Sequence, residues 1–436
     1  MRLLKWILLI SLILPLLWST LVLTHWLPRP SADQEAALAM VKEVQARRLG
    51  EHNAYPLLWL FKYAVPRDQL NAVMEADLER FEKYIQDPMP QRPFESIALE
   101  SYAELPEPSK AAAACFGRGG GSCLTDVRAN VEAVRAELDA QAERLQRESW
   151  LSDYDHIAIA FSRSISAPRV LYFGNGGVVR SAAAFAHLSG DSVRALERLC
   201  EHTRSWRRLR QHTDLLQADL LGRSVIAANI RLAAEILAER PDLDGLECLD
   251  SFAPLGDEEL DQCSTMVGEY LDLARGWLLD EEKQILVQRA VNLRHSRALI
   301  AQSKAYYCQA AHQQRILLRA AEPSAPEVRC TFAEQVFNPV GCLLADQQLG
   351  DEIYYRGALD LDAKLRTFQA ARWLRTHSVD GAPGTALDRL PAMFANASHQ
   401  LSLSPDGTDL ELQQLLQPPG AEPWSIPISR PVADPN

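Results

Sequence analysis

The sequence predicts a mainly α-helical protein with an N-terminal transmembrane helix, an extracytoplasmic body of antiparallel helical hairpins and a small C-terminal β-hairpin. Three features support this prediction. The chain opens with a long apolar run, apolar residues then recur three and four positions apart through most of the chain, and a short alternating pattern follows near the end. Of the 436 residues, 47% are hydrophobic and 23% are charged, which is typical of globular proteins.

The N-terminal run extends from Trp6 to Leu27 and contains no Asp, Glu, Lys or Arg. As a helix rising about 1.5 Å per residue it would reach roughly 33 Å, which is enough to cross the hydrocarbon core of a bilayer. The run is longer than the apolar stretch of a cleavable signal peptide, and no Ala-x-Ala pattern follows it. We therefore expect an uncleaved signal anchor, with cleavage after Ala32 and a buried soluble helix as the alternatives.

Arg2 and Lys5 precede this run and determine the expected orientation. Positively charged flanks stay in the cytoplasm, so residues 1–5 are a cytoplasmic stub, residues 6–27 cross the bacterial inner membrane, and the bulk of the chain lies in the periplasm. The remainder divides by composition into three regions. These are a mainly helical region with a disulfide-closed loop over 28–176, a helical array over 177–322, and a region with helix, β-hairpin and extended tail over 323–436.

Caps and apolar spacing predict the helices of the first region. Ser31 and Gln34 have the form of a capping box, which predicts a helix over 31–49. A second helix is predicted over 66–85, because Pro66 suits a first helical turn and the apolar residues after it share one face. A third is predicted over 125–150, with an apolar stripe formed by Val127, Val131, Val134, Leu138 and Leu145.

The second region reads as helical throughout, and short helices in succession favour antiparallel pairs. The predicted helices are 178–188, 191–203, 205–220, 222–239, 257–279 and 281–321, the last one interrupted.

The C-terminal region is predicted to contain two helices, over 343–348 and 359–377, and a β-hairpin. Leucine alternates with polar residues over 401–403 and 410–412, on either side of a Pro-Asp-Gly turn, which is typical of two paired strands. Residues 418–436 are rich in proline and are predicted to form a loosely attached, extended tail.

All eight cysteines lie after the apolar run, in the part predicted to face an oxidising compartment. Eight cysteines allow 105 connectivities, and a set of buried free thiols is the alternative. No Cys-x-x-Cys is present, so neither a thioredoxin-like site nor a paired zinc knuckle is indicated. Short loops favour the first two of the following pairs and leave the other two as sequence neighbours: Cys115–Cys123, Cys330–Cys342, Cys200–Cys248 and Cys263–Cys308.

The charge balance of 45 Lys and Arg against 57 Asp and Glu gives a formal net charge of −12. Nucleic acids and anionic lipid surfaces are also negative, so this balance argues against either as the main partner. One basic run stands out as a candidate contact for an acidic partner or a phosphate group, although a solvated helix face is the simpler interpretation. It consists of Arg204, Trp206, Arg207, Arg208 and Arg210.

Two short clusters are candidates for acid–base chemistry. Asp153, Asp155 and His156 place two carboxylates and an imidazole within four residues, which suits proton transfer or a metal, but no second ligand cluster supports a metal site. Glu100, followed by Ser101, resembles the Glu–Ser pair of lytic transglycosylases, whose Glu is the general acid. Prolines just upstream depart from that family's longer apolar helix, and ordinary hydrogen-bonded surface residues are the simpler interpretation of both clusters.

Neither an assembled catalytic constellation nor a cofactor or metal motif emerges from the sequence. We therefore expect a membrane-anchored periplasmic protein that acts as an interaction or scaffolding component of the cell envelope. The alternative is an extracytoplasmic hydrolase or lyase that acts on cell-wall material through Glu100 or the 153–156 cluster. An enzyme should gather at least three titratable groups in one pocket, whereas a binding protein should present an exposed apolar or charged surface.

Reporter fusions after residue 40 test the predicted topology. A reporter that works only in the periplasm is expected to be active, because Arg2 and Lys5 hold the N-terminus in the cytoplasm. The matched fusion to a reporter that works only in the cytoplasm is expected to be inactive. The opposite pattern would place the body of the protein in the cytoplasm and overturn the topology.

Overall fold

The structure, a computed structural model, is mainly helical with an antiparallel sheet near its C-terminal end. Residues 10–17 are helical and exposed, and most of the apolar N-terminal run lies outside the described residues. Within the described part of the chain, no helix has the length and apolarity needed to span a bilayer. The described residues are 10–17, 20, 30–47, 49–87, 93–108, 115, 122–162, 168, 176–278, 293–346, 351–377, 383–394, 398–418 and 420–428.

Mostly short helices make up the first part of the body, and the predicted capping box starts the first of them. The Ser31 hydroxyl accepts a hydrogen bond from the Gln34 amide at 3.2 Å, and the Gln34 side chain accepts one from the Ser31 amide at 2.9 Å. The described helices here are α1 (Ala32–Gln45), α2 (Tyr55–Trp59), α3 (Leu70–Tyr84), α4 (Ala98–Ser101), α5 (Cys123–Ala129), α6 (Val131–Ala140), α7 (Ala142–Trp150) and α8 (Gly176–Leu188).

The single helix predicted over 125–150 is wrong, because the chain breaks at Asn130 and Gln141 into α5, α6 and α7. Each break turns the following helix, so the predicted apolar stripe does not stay on one buried face. Val127 and Val134 are fully buried, whereas Leu145 is only partly buried. The side of α7 that faces the interior is charged instead, and consists of Arg144, Arg147 and Glu148.

Longer helices form the remainder of the body. The predicted boundary near residue 204 is wrong, because one helix continues through it to Gln211. It ends where the backbone of 212–214 pairs with Ile157 instead, through Ile157 N–H to His212 C=O at 3.0 Å and Asp214 N–H to Ile157 C=O at 3.3 Å. These helices are α9 (Ser192–Gln211), α10 (Leu216–Glu239), α11 (Asp257–Leu260), α12 (Cys263–Leu278), α13 (Leu293–Ala305), α14 (Ala310–Leu318), α15 (Phe332–Phe337), α16 (Pro339–Asp346), α17 (Glu352–His377) and α18 (Pro383–Leu387).

The predicted hairpin is confirmed and carries a third strand that the sequence analysis did not predict. Strands β1 (Leu401–Leu403) and β2 (Asp409–Leu412) pair antiparallel, and β3 (Trp424–Pro427) pairs with the other edge of β2. Residues 424–427 are thus part of the sheet and not of a loose tail. Their alternation explains this, because Trp424 and Ile426 are buried while the residues between and after them are only partly buried.

The largest buried apolar cluster draws residues from all three regions defined above, from Ala54 to Ile428. Helix α9 packs on α8 and α10, and α17 packs on α10 from the other side. A separate cluster joins α1 to α12 and α13, with Val41, Val267 and Ile300 at its centre. The helix that follows the apolar N-terminal run is therefore fixed to the middle of the chain.

All four predicted disulfides are present, and no cysteine of the chain is free. Two of them close long loops, with sequence separations of 48 and 45 residues, and such closures restrict the unfolded chain most in the chain-entropy account. Cys200–Cys248 ties α9 to the 3-10 helix Glu247–Phe252, and Cys263–Cys308 ties α12 to the 3-10 helix Tyr306–Cys308. The pairs are Cys115–Cys123, Cys200–Cys248, Cys263–Cys308 and Cys330–Cys342.

His312 on α14 is buried against aromatic rings. The centroid of its imidazole lies 4.9 Å from that of Tyr307 and 4.7 Å from that of Tyr355. In the part of the chain that the structure describes, neither ring nitrogen has a hydrogen-bond partner. Burial, and then the nearby charge of Arg315, lower the pKa of His312 to about 3.

Replacing His312 by Phe should reduce the loss of stability in acid. In the native state the imidazole stays neutral down to about pH 3, whereas in the unfolded chain it binds a proton near pH 6.5. The unfolded state therefore binds more protons between these values, and the His312 contribution is complete above pH 6.5 and is lost as the pH falls, by up to about 1.4 kcal/mol per pH unit. Chemical denaturation across this range measures the slope. His377→Gln, at an exposed position, should keep the wild-type slope, and an equal slope in H312F would contradict the assignment.

Candidate functional site

A cleft of about 740 Å³ lies between the C-terminal half of α7, the 3-10 turn Leu151–Asp153 and one face of α9. Residues of α9 three and four positions apart point into it, as their helical spacing requires. From α9 these are Arg198, Glu201, His202, Ser205 and Arg208, with Arg204 beside them. We call this site the α7–α9 cleft.

A buried acid and a buried imidazole form the floor of the α7–α9 cleft. Glu148 Oε2 lies 3.5 Å from His202 Nε2, and the two side chains are 2% and 4% exposed. Arg180 of α8 is also buried nearby, where burial lowers its pKa to about 10 while the charge of Glu148 acts in the opposite direction. An acid, an imidazole and a guanidinium are thus gathered out of bulk water.

The orientation of the His202 ring is determined by neighbours on both sides. Trp206 Nε1–H donates to His202 Nε2 at 3.0 Å, and an indole nitrogen can only donate. The side-chain amide nitrogen of Asn229 lies 3.2 Å from the other ring nitrogen, Nδ1, so the imidazole is held between two hydrogen-bonding side chains. The carboxyl group of Glu148 lies beside this fixed ring at the cleft floor.

The rim of the α7–α9 cleft holds four arginines, two of which are already engaged. Arg67 forms an ion pair with Asp153 at 2.6 Å, and Arg208 donates to the carbonyl groups of Ser152 and Tyr154 at 2.6 and 2.8 Å. The other two are Arg198 and Arg204. Within the described ranges, neither of their guanidinium groups donates a hydrogen bond or forms an ion pair, so both can accept an incoming anion.

The predicted acid–base residues do not form one site. Asp153 lines the cleft in its ion pair with Arg67, and Glu100 is exposed on α4, where it pairs with Arg80 at 2.8 Å. Asp155 and His156 contact each other at 2.6 Å, away from the cleft.

The Asp155–His156 pair has a structural role. Asp155 accepts backbone N–H bonds from Glu51 and His52 at 3.0 and 3.1 Å. Partial burial opposes its ionisation, but the hydrogen bonds from His156 and from these two amides outweigh this effect and hold the pKa of the Asp155 carboxyl well below its usual range. A Cβ atom at Gly50 would lie 2.2 Å from Asp155 Oδ1, so only glycine fits there.

The basic run on α9 is mostly engaged inside the protein. Trp206 is fully buried, Arg207 forms a two-pronged ion pair with Glu259 at 2.7 and 2.5 Å, and Arg210 is buried against Asp219 at 2.9 Å. With Arg208 bound to carbonyl groups, Arg204 is the exposed member of the run. Of the predicted run, Arg204 is therefore the residue that a partner can reach, and Arg198 lies beside it in the cleft.

Sequence reasoning missed Glu148 and His202, although one signal was present. Glu148 is followed by Ser149, as Glu100 is by Ser101, and it lies four positions after Arg144 on α7. Charged residues that recur at three and four positions normally indicate a solvated face, and only the fold shows that this face is buried. No feature of the sequence connected α7 with His202.

Within the described ranges, no group of three or more His, Cys, Asp or Glu side chains is arranged to hold a metal ion. Comparison with protein-family models, with curated proteins and with solved structures gives no match for this chain. The case for a function therefore depends on the chemistry of the cleft and on the pairing of the cysteines.

Proposed function

We propose that the protein is an envelope binding protein, anchored in the bacterial inner membrane by residues 6–27, with its body in the periplasm. The charge-free apolar run, preceded by Arg2 and Lys5, supports the anchor and its orientation. The pairing of every cysteine supports the compartment, because disulfides persist in the periplasm and are rare in the reducing cytoplasm.

The α7–α9 cleft is the proposed site for an acidic segment of a partner protein. The observation that carries this proposal is the pair of guanidinium groups, Arg198 and Arg204, which line the cleft and form no ion pair among the described residues. In a chain with a net charge of −12, most of the surface repels an acidic segment, so a local basic rim both attracts and orients it. Guanidinium groups bind carboxylates with two parallel hydrogen bonds, which adds specificity.

Neutralising the rim tests this binding. In crosslinking pull-downs of the full chain from membranes, we expect the double variant R198Q/R204Q to recover a specific partner with a yield at least about tenfold below that of the wild type. The reason is that two charge-assisted contacts are removed. The matched control R194Q/R329Q removes the same charge from two exposed arginines that do not line the cleft. Recovery of the bait alone, or equal partner yield from both variants, would contradict the proposal.

A second candidate function is a hydrolase or lyase that acts on cell-wall material, favoured by the buried Glu148–His202 pair on the cleft floor. More than three titratable groups line this cleft, which is the arrangement expected of an active site. In this function Glu148 is the general acid, and His202, 3.5 Å away, is the residue that positions its carboxyl group. Ser149 and Asp153 on the rim can orient a polar substrate.

Peptidoglycan digestion by the full chain, with its disulfides intact, separates the two candidates. If the protein is an enzyme, E148Q should reduce the release of soluble fragments by about a hundredfold or more, which is the usual contribution of a general acid. E201Q, which neutralises an exposed acid of the same cleft, should retain most of the activity. Absence of release by the wild-type chain, at a concentration where it is folded, would remove the enzyme candidate.

A further inference from the structure

A second concave site lies on another face of the molecule, between the start of α8, α10 and α17. It has a volume of about 800 Å³, and we call it the α8–α10–α17 groove. Its floor is lined by small residues of the two long helices, among them Ser224, Ala228 and Gly357. Small side chains keep the two helices from filling the space between them, so the groove is open enough for a small organic ligand.

Two cations of the groove form no ion pair within the described ranges, although the charge of Glu235 acts on Arg231 and that of Asp360 on Lys364. The Arg231 guanidinium carbon and Lys364 Nζ lie 6.0 and 5.7 Å from the centroid of the Trp424 ring. Among the residues that the structure describes, neither group donates a hydrogen bond or forms an ion pair. Their association with one aromatic ring places two like charges close together, which is unfavourable unless an anion compensates them.

The carboxylate of Asp360, whose charge acts on Lys364, is already engaged in three hydrogen bonds. Asp360 accepts a bond from His399 Nε2 at 2.8 Å and from the backbone amides of Leu415 and Leu416 at 2.7 and 3.2 Å. Burial, opposed by Asp360 and reinforced by Arg231, lowers the pKa of Lys364 to about 8. The Lys364 ammonium is thus held in a partly desolvated place without full compensation, and a doubly charged anion would supply it.

The other end of the groove is also positive. Arg180 is 5% exposed, its Nε–H donates to the Cys115 carbonyl at 2.8 Å, and its Nη1 has no hydrogen-bond partner among the described residues. It lines the groove beside Gly176 and Gly177, the first residues of α8, where backbone N–H groups and the helix dipole favour negative charge. A buried guanidinium with an unused donor therefore reinforces a helix N-terminus.

Apolar side chains complete the lining. Leu220, Ile353 and Leu416 border the groove and are 41%, 49% and 45% exposed. An inorganic ion would use the cations and leave these side chains in water. A ligand with an anionic group and a short apolar body would cover both.

We propose that the α8–α10–α17 groove binds an organic phosphate, with its phosphate group held by Arg231 and Lys364 against Trp424 and its apolar part on Leu220, Ile353 and Leu416. A phosphate monoester is favoured over a carboxylate because it carries close to two negative charges and three acceptor oxygens, which match two unpaired cations. The site is separate from the α7–α9 cleft and does not depend on the function proposed for it.

Calorimetric titration of the full chain in a neutral detergent with hexyl phosphate tests the proposal. We expect saturable binding of one hexyl phosphate per chain. Its affinity should be at least about tenfold higher than that of inorganic phosphate, which lacks the apolar part, and that of hexanoate, which lacks the second charge. Dihexanoyl phosphatidic acid and glucose 1-phosphate identify the source of the phosphate. Tighter binding of the first indicates a lipid, whereas tighter binding of the second, which has no apolar body, would contradict the seating of an apolar part on Leu220, Ile353 and Leu416.

Two variants and one control make the test specific. R231Q/K364Q should weaken hexyl phosphate binding at least about tenfold, and S224W, which fills the groove at an exposed position and keeps every charge, should abolish it. R198Q/R204Q, in the other cleft, should bind as the wild type does. Any of three results would overturn the proposal: no saturable binding by the wild type, hexanoate binding equal to that of hexyl phosphate, or unchanged affinity in S224W. If R231Q/K364Q does not fold, the result for S224W decides.

Discussion

Helix arginines that donate to the carbonyl groups of irregular segments hold this structure together. Loops lack the internal hydrogen bonds of helices, and a buried carbonyl without a donor is costly. A guanidinium carries five donors in one plane and can satisfy several carbonyls at once. The described examples are Arg144 to Leu105 and Pro106, Arg147 to Val65, Arg207 to Ser251, Ala253 and Pro254, Arg208 to Ser152 and Tyr154, and Arg375 to Ile428.

These hydrogen bonds from arginine to loop carbonyl groups explain why the chain has many buried charges and still folds around a core that spans its three regions. Each arginine anchors a loop to a helix, and the disulfides close the same kind of junction covalently, as Cys200–Cys248 does between α9 and Glu247–Phe252. Arg180 belongs to this group through its bond to the Cys115 carbonyl, yet it also lines the groove and interacts with Glu148 of the cleft.

Local rules were enough for the parts of the fold whose cause lies within a few residues. The Ser31 capping box, the leucine alternation of the hairpin and the four cysteine pairs were all predicted correctly. Features that depend on partners distant in the sequence were not predicted. They are the helix breaks in 125–150, the strand at Trp424 and the burial of Glu148, and each depends on which distant element packs against that segment. The basic run is only partly accessible for the same reason, because a guanidinium that binds loop carbonyls looks in sequence like one that faces water.

The start of α1 has a mechanical consequence. Its cap at Ser31 lies four residues beyond Leu27, and α1 is packed firmly against α12 and α13. A fully extended chain of that length covers at most about 14 Å. In the anchored arrangement proposed above, the linker between the membrane helix and the body is therefore very short, and the body lies close to the lipid headgroups. A partner must then come to the bilayer surface to bind, because the body cannot extend across the periplasm.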